Sequence, residues 1–145
     1  MFDADTFLSG TVEGEMSTDF VPIPEGEYAA FIKGVAARST SSDKGEYVIL
    51  DVTWAVDDGE VAKTVGIDNP TVRQSIFLDV TENGGLDLSK GKNIQLGRLR
   101  DAVGQNDGGP WAPSMLEGQV GRIRVAHRIY EDRIFAEVKG VAAAA

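Results

Sequence analysis

The chain has no cysteine, so it has no disulfide, no thiolate metal site and no thiol nucleophile. That composition fits a reducing compartment. It has a single histidine, His127, and a zinc or catalytic metal site wants several histidines or carboxylates at converging spacing. No apolar run approaches the roughly 20 residues of a membrane span. The first ten residues, MFDADTFLSG, are acidic where a secretory leader is basic. No phosphate-binding glycine motif or nucleophile elbow occurs, and the 17 glycines are spread through turns. These absences predict a cytoplasmic protein that is not an enzyme and needs no cofactor.

What is present is 145 residues, the size of one ordinary domain, long enough to bury a core without staples. The net charge is −9, but it is segregated. Residues 1–27 hold seven acids and no base, while Lys90 to Lys139 holds nine bases against six acids. The organisation expected is an acidic, largely irregular arm over 1–24, a domain over 25–141 and a short alanine tail over 142–145. An acidic lead can act on solubility alone.

The clearest periodicity is in the strand Tyr47–Val56. Val48, Leu50, Val52, Trp54 and Val56 share its apolar face; Tyr47, Ile49, Asp51 and Thr53 share the other. A strand over Glu27–Arg38 precedes it, with Gly34 marking a bulge, and the polar STSSDKG segment (39–45) reads as a loop. After the DDGE turn, VAKTV (61–65) is ambiguous and reads as a short strand. The next strand, Val72–Val80, turns Val72, Gln74, Ile76, Leu78 and Val80 one way and Arg73, Ser75, Phe77 and Asp79 the other. Ile94, Leu96, Leu99, Ala102 and Val103 then recur at helical spacing, predicting one helix over Lys92–Gly104. Gln119–Tyr130 and Arg133–Val141 close the domain as a tight hairpin; Ile123, Val125, Ile129, Ile134, Ala136 and Val138 are the apolar parity. Three strands, a helix and two strands predict an all-β fold: a five-stranded Greek-key barrel of the OB type, with its helix between strands three and four.

The stretch IPEGEYAAFIKGV, the Ser/Lys/Gly loop before GEYVILDVTW, and the later block LSKGKNIQLGRLRDAVGQN carry a resemblance. Together they resemble a family of phage-encoded single-stranded DNA-binding proteins with an OB fold, over roughly residues 22–140. The resemblance implies largely sequence-independent binding of single-stranded DNA in phage DNA replication or recombination. Such proteins often end in an acidic tail that recruits replication partners. This chain departs from them, with GVAAAA at that end and its acids in the arm, which would take over recruitment of replication or recombination proteins. A homo-oligomer is compatible with all of this, and no membrane partner is expected.

Single-strand binding needs a cationic track for phosphates and flat side chains for bases. On an OB fold these lie on the second and third strands, framed by the first–second and fourth–fifth connections. The candidates there are Tyr47, Arg73 and Phe77 on the platform, with Arg38, Lys44, Tyr130 and Arg133 on the connections. Arg122, Arg124 and Arg128 add a row on the outward parity of the fourth strand, where like charges repel unless an anion relieves them. Each has a plainer reading: outward arginines solubilise an edge, and Tyr47 and Phe77 can pack beneath the arm. Trp54 reads as core, Trp111 as a plug at the barrel end, and His127 as a packed residue. Asp51 and Asp79 sit on adjacent outward parities, with Lys33 or Arg73 as salt partners. A virion structural or decoration protein, or an acidic DNA mimic, are the competing readings.

Overall fold

The computed structural model describes residues 1–18, 20–43 and 45–144. In chain order the elements are α1 (Ala4–Ser9), β1 (Gly26–Ser42), β2 (Gly45–Val56), α2 (Gly59–Val65), β3 (Thr71–Leu78), α3 (Ile94–Ala102), β4 (Val120–Tyr130) and β5 (Arg133–Ala142). A 3-10 turn at Pro113–Leu116 leads into β4. The five strands make one antiparallel sheet in the order β3-β2-β1-β4-β5. The sheet is not closed: among the described residues no ladder joins the edge strands β3 and β5, although the two approach one another. No helix among the described residues is long and apolar enough to cross a membrane.

The period-two pattern sets the core. Leu50, Val52, Trp54 and Val56 of β2 and Val72, Gln74 and Ile76 of β3 are buried on one face. They meet Ala30 and Ile32 of β1, Ile123 and Val125 of β4, and Leu96 and Leu99 of α3. Each large apolar side chain among them contributes about 1.5–3 kcal/mol by leaving water. Gln74, the one polar side chain buried among the described residues, is explained by its partner: its Oε1 accepts from the Trp54 indole N–H at 3.0 Å. The apolar parity of the last hairpin outruns this core. Ile129 and Ile134, expected inside, are 74% and 51% exposed, because the β4–β5 hairpin extends beyond the other strands. Ile94, at the start of α3, is exposed as well.

Three local expectations are corrected. Residues 61–65 are helical, within α2, not a strand. Asp58 accepts from the backbone N–H groups of Glu60 and Val61, and Gly66 ends the helix in the left-handed region, so both ends are capped. Those caps outweigh the strand preference of Val61, Thr64 and Val65. The polar segment after Arg38 is not a loop until its tip. β1 runs to Ser42, pairing Thr40 with Tyr47 and Ser42 with Gly45, so a two-stranded ribbon stands out from the sheet. The arm also contains a short helix, α1, capped by Asp3, although it buries no residue.

The bulge falls where Gly34 signalled it, between Ile32 and Gly34, which makes Lys33 the extra residue of β1. α3 is fixed to the end of β3 by a reciprocal clamp. Asn93 Oδ1 accepts from the Asp79 backbone N–H, and Asp79 Oδ2 accepts from the Asn93 backbone N–H, at 2.8 and 2.9 Å. Asp79 is thereby committed to α3 and does not meet Asp51. The root of the arm is anchored as well. Ile23 is buried, its carbonyl accepts from His127 Nε2 at 2.7 Å, and the Tyr28 hydroxyl donates to the Pro24 carbonyl at 2.7 Å. A carbonyl only accepts, so His127 carries its proton on Nε2 and serves as a packed tie.

Candidate nucleic-acid interface

The outer face of β1, β2 and β3 is built by register. Arg38 stands opposite Ile49, which stands opposite Phe77; Asp51 stands opposite Ser75; Thr53 stands opposite Arg73. Tyr47 lies diagonally from Phe77, and their rings meet edge to face with centroids 6.1 Å apart. Diagonal aromatics on neighbouring strands are within reach of one another. Beneath them Ile49 is 3% exposed, although it is on the solvent side of the sheet and outside the main core. Phe77 itself is 61% exposed. The arm does not cover this pair, since Phe2, Phe7 and Phe20 are themselves exposed.

Arg38 is anchored beside the rings: its Nε donates to Asp51 Oδ2 at 2.7 Å, and Ser75 Oγ donates to Asp51 Oδ1 at 2.7 Å. Asp51 therefore takes Arg38 as its salt partner, not Lys33. Burial alone pushes the Asp51 carboxyl up. The hydrogen bonds from Arg38 and Ser75, with the charges of Arg38 and Arg73 nearby, outweigh it and hold the pKa below the ordinary value. A group with a lowered folded pKa contributes stability above its unfolded pKa, and that stability is lost as pH falls through the folded value. Asp51→Asn should therefore flatten the stability profile below about pH 4, measured by thermal melts across the acid range. Because it removes a negative charge from the platform, it should also tighten polyanion binding at low salt, by roughly threefold or more.

Next to this platform runs a groove of about 900 Å³. Lys33, Thr53 and Arg73 line one side; Arg133, Ile134 and Phe135 of the β4–β5 hairpin line the other; the arm residues Phe20–Ile23 enter along it. Asp68 and Asp132 also border it.

The chain matches no protein-family model and no curated protein.

The candidates named from the sequence thus fall into groups. Arg38, Tyr47, Arg73 and Phe77 share one face. Arg133 joins Arg73 across the groove, and Tyr130 is exposed beside it, paired with Arg133. Lys44 lies outside the described residues. The expected row on β4 is divided among different surroundings. Arg128 is drawn to Glu137, 3.9 Å away, and lies 6.0 Å from the Phe135 ring centre. Arg124 lines a different cleft, and Arg122 pairs with Ala29 and Ala142, away from the groove. Two groove residues escape the sequence reading. Phe135 shares the outward parity of Arg133, a signal the sequence does carry. Lys33 is aimed by the bulge, which parity alone does not reveal. Trp111 is off the platform. It packs against the core, donates to Gln105 Oε1 at 2.8 Å and lies under the Arg100 guanidinium at 4.3 Å.

Proposed function

We propose that this protein binds single-stranded DNA, largely without regard to sequence, in phage DNA replication or recombination. The reading rests on one observation above the others: an exposed Tyr47–Phe77 ring pair on a sheet face flanked by Arg38 and Arg73. An exposed aromatic cluster of this kind leaves apolar surface in water unless something flat covers it. Bases stack on Tyr47 and Phe77, while Arg73, Lys33 and Arg133 meet phosphates along the groove. Tyr130 extends the stacking surface at the hairpin.

The architecture supports an OB-like reading. The strand order β3-β2-β1-β4-β5, the contact between β3 and β5, and a helix between the third and fourth strands are what such a barrel has, short of the closing ladder. The acidic arm, rooted at the groove, is the segment through which replication or recombination proteins would be recruited.

The test is titration of oligo-dT at about 50 and about 200 mM salt. If five phosphates are contacted, log K should fall against log salt with a slope of about −3.5, and affinity should drop roughly one-hundredfold between the two conditions. Binding that is absent at low salt, or that ignores salt, overturns the proposal.

A further inference from the structure

Where the ladder between β3 and β5 is missing, the sheet has a seam, and the seam holds a second cleft of about 550 Å³. Gln74 of β3, Arg98 of α3, Arg124 of β4 and Lys139 of β5 bound it, and no carboxylate lies on its lining among the described residues. That is unusual in a chain of net charge −9. Among the described residues, Arg98 and Arg124 have no carboxylate within ion-pair range. Lys139 is held by Glu137 at 2.9 Å.

Local backbone features bring these groups together. The β4–β5 register passes from Arg124 opposite Gly140 to Val125 opposite Val138, so Lys139 is an extra, bulged residue. Gly140 leaves bare backbone beside Arg124. The Arg124 Nε and Nη2 atoms lie 3.7 and 3.8 Å from where a Cβ on Gly140 would stand. The guanidinium thus crosses β5 towards the seam along a route that a bulky side chain would fill. The Asn93–Asp79 clamp holds the start of α3, and with it Arg98, over the same opening. The Gln74 carbonyl is occupied by Trp54, so what its amide has left to offer is N–H. Every polar side chain described at the seam is therefore a donor or a cation, apart from the Gln95 amide, which can act either way.

We infer that the seam cleft is a phosphate site, separate from the stacking platform. In the setting of the proposed function, on which this use of the site rests, it holds backbone phosphates of a strand that leaves the platform over the edge of β3. Arg73 on the outer side of β3 and Gln74 on its inner side are consecutive, so platform and cleft share that edge. The same chemistry would accept a free polyphosphate.

The test compares the full chain with the Arg98→Ala/Arg124→Ala variant. Both side chains are surface groups, and matching melting temperatures establish that the variant is folded. Pyrophosphate, followed by NMR, should shift signals of Gln74, Arg98 and Arg124 in the wild type and leave the variant's Gln74 unmoved. Long oligo-dT should bind the variant roughly tenfold more weakly, with a salt slope shallower by about 1.4 for two lost contacts. Short oligo-dT that fills only the platform should bind both equally. Pyrophosphate shifts without any effect on long oligo-dT would overturn the strand route and assign the cleft to free phosphates. Pyrophosphate shifts in a protein that binds no oligo-dT would sink the proposed function and leave the cleft standing. No shift, together with equal binding of long oligo-dT, overturns the inference.

Discussion

Alanine at both Tyr47 and Phe77 should weaken oligo-dT binding by roughly one-hundredfold or more. Stacking on an aromatic contributes about 1–3 kcal/mol per base, and about 1.4 kcal/mol is a tenfold change in affinity. Two rings acting separately thus give a hundredfold towards the low end of that range. The salt slope should stay as in the wild type, because no phosphate contact is removed. This separates the rings from the arginines, whose loss changes the slope. Phe77 is 61% exposed and Tyr47 36%, so removing Phe77 costs less stability than removing Tyr47. The pair of measurements is affinity at two salt concentrations and a thermal melt of the double variant. A loss of less than threefold, with an intact melt, would remove the rings from the interface.

Trp54→Ala should cost about 3–5 kcal/mol of folding stability. Trp54 is 0% exposed and is among the largest fully buried side chains. Its removal leaves a cavity against β3 and strands the Gln74 amide without its indole partner. For a chain of this size the melting temperature should fall by roughly 10–20 °C. Trp54→Phe should cost less, since it keeps most of the volume and loses chiefly the hydrogen bond. If the two variants melt alike, the hydrogen bond to Gln74 stabilises the fold more than the packing of the indole does. Differential scanning calorimetry distinguishes these outcomes.

Much of the architecture is legible in the sequence because period-two patterning is a direct statement about burial. The faces of β2 and β3 follow from Val48 to Val56 and from Val72 to Leu78 without knowledge of any partner strand. Expectation and structure part where a tertiary or capping effect competes with local preference. Val61, Thr64 and Val65 favour a strand, yet Asp58 and Gly66 cap a helix there. Ile129 and Ile134 keep the parity of the core but lie beyond its reach, since alternation says which side a residue faces and not whether anything is stacked on that side. The candidate site divides in the same way. Register fixes Arg38, Tyr47, Arg73 and Phe77 on one face, so parity finds them together. The β4 arginines share a parity but not a destination. Arg124 is led over Gly140, and Arg128 is captured by Glu137, both through neighbours on β5 that no single-strand pattern contains.

The arm is fastened at its root. With Ile23 in the core and its carbonyl bound by His127, the attachment of the arm to the sheet lies beyond Val21. The anionic load of the leading segment is therefore a detachable property: one cleavage would change the electrostatic character of the molecule beside its groove while the β-sheet underneath keeps its shape.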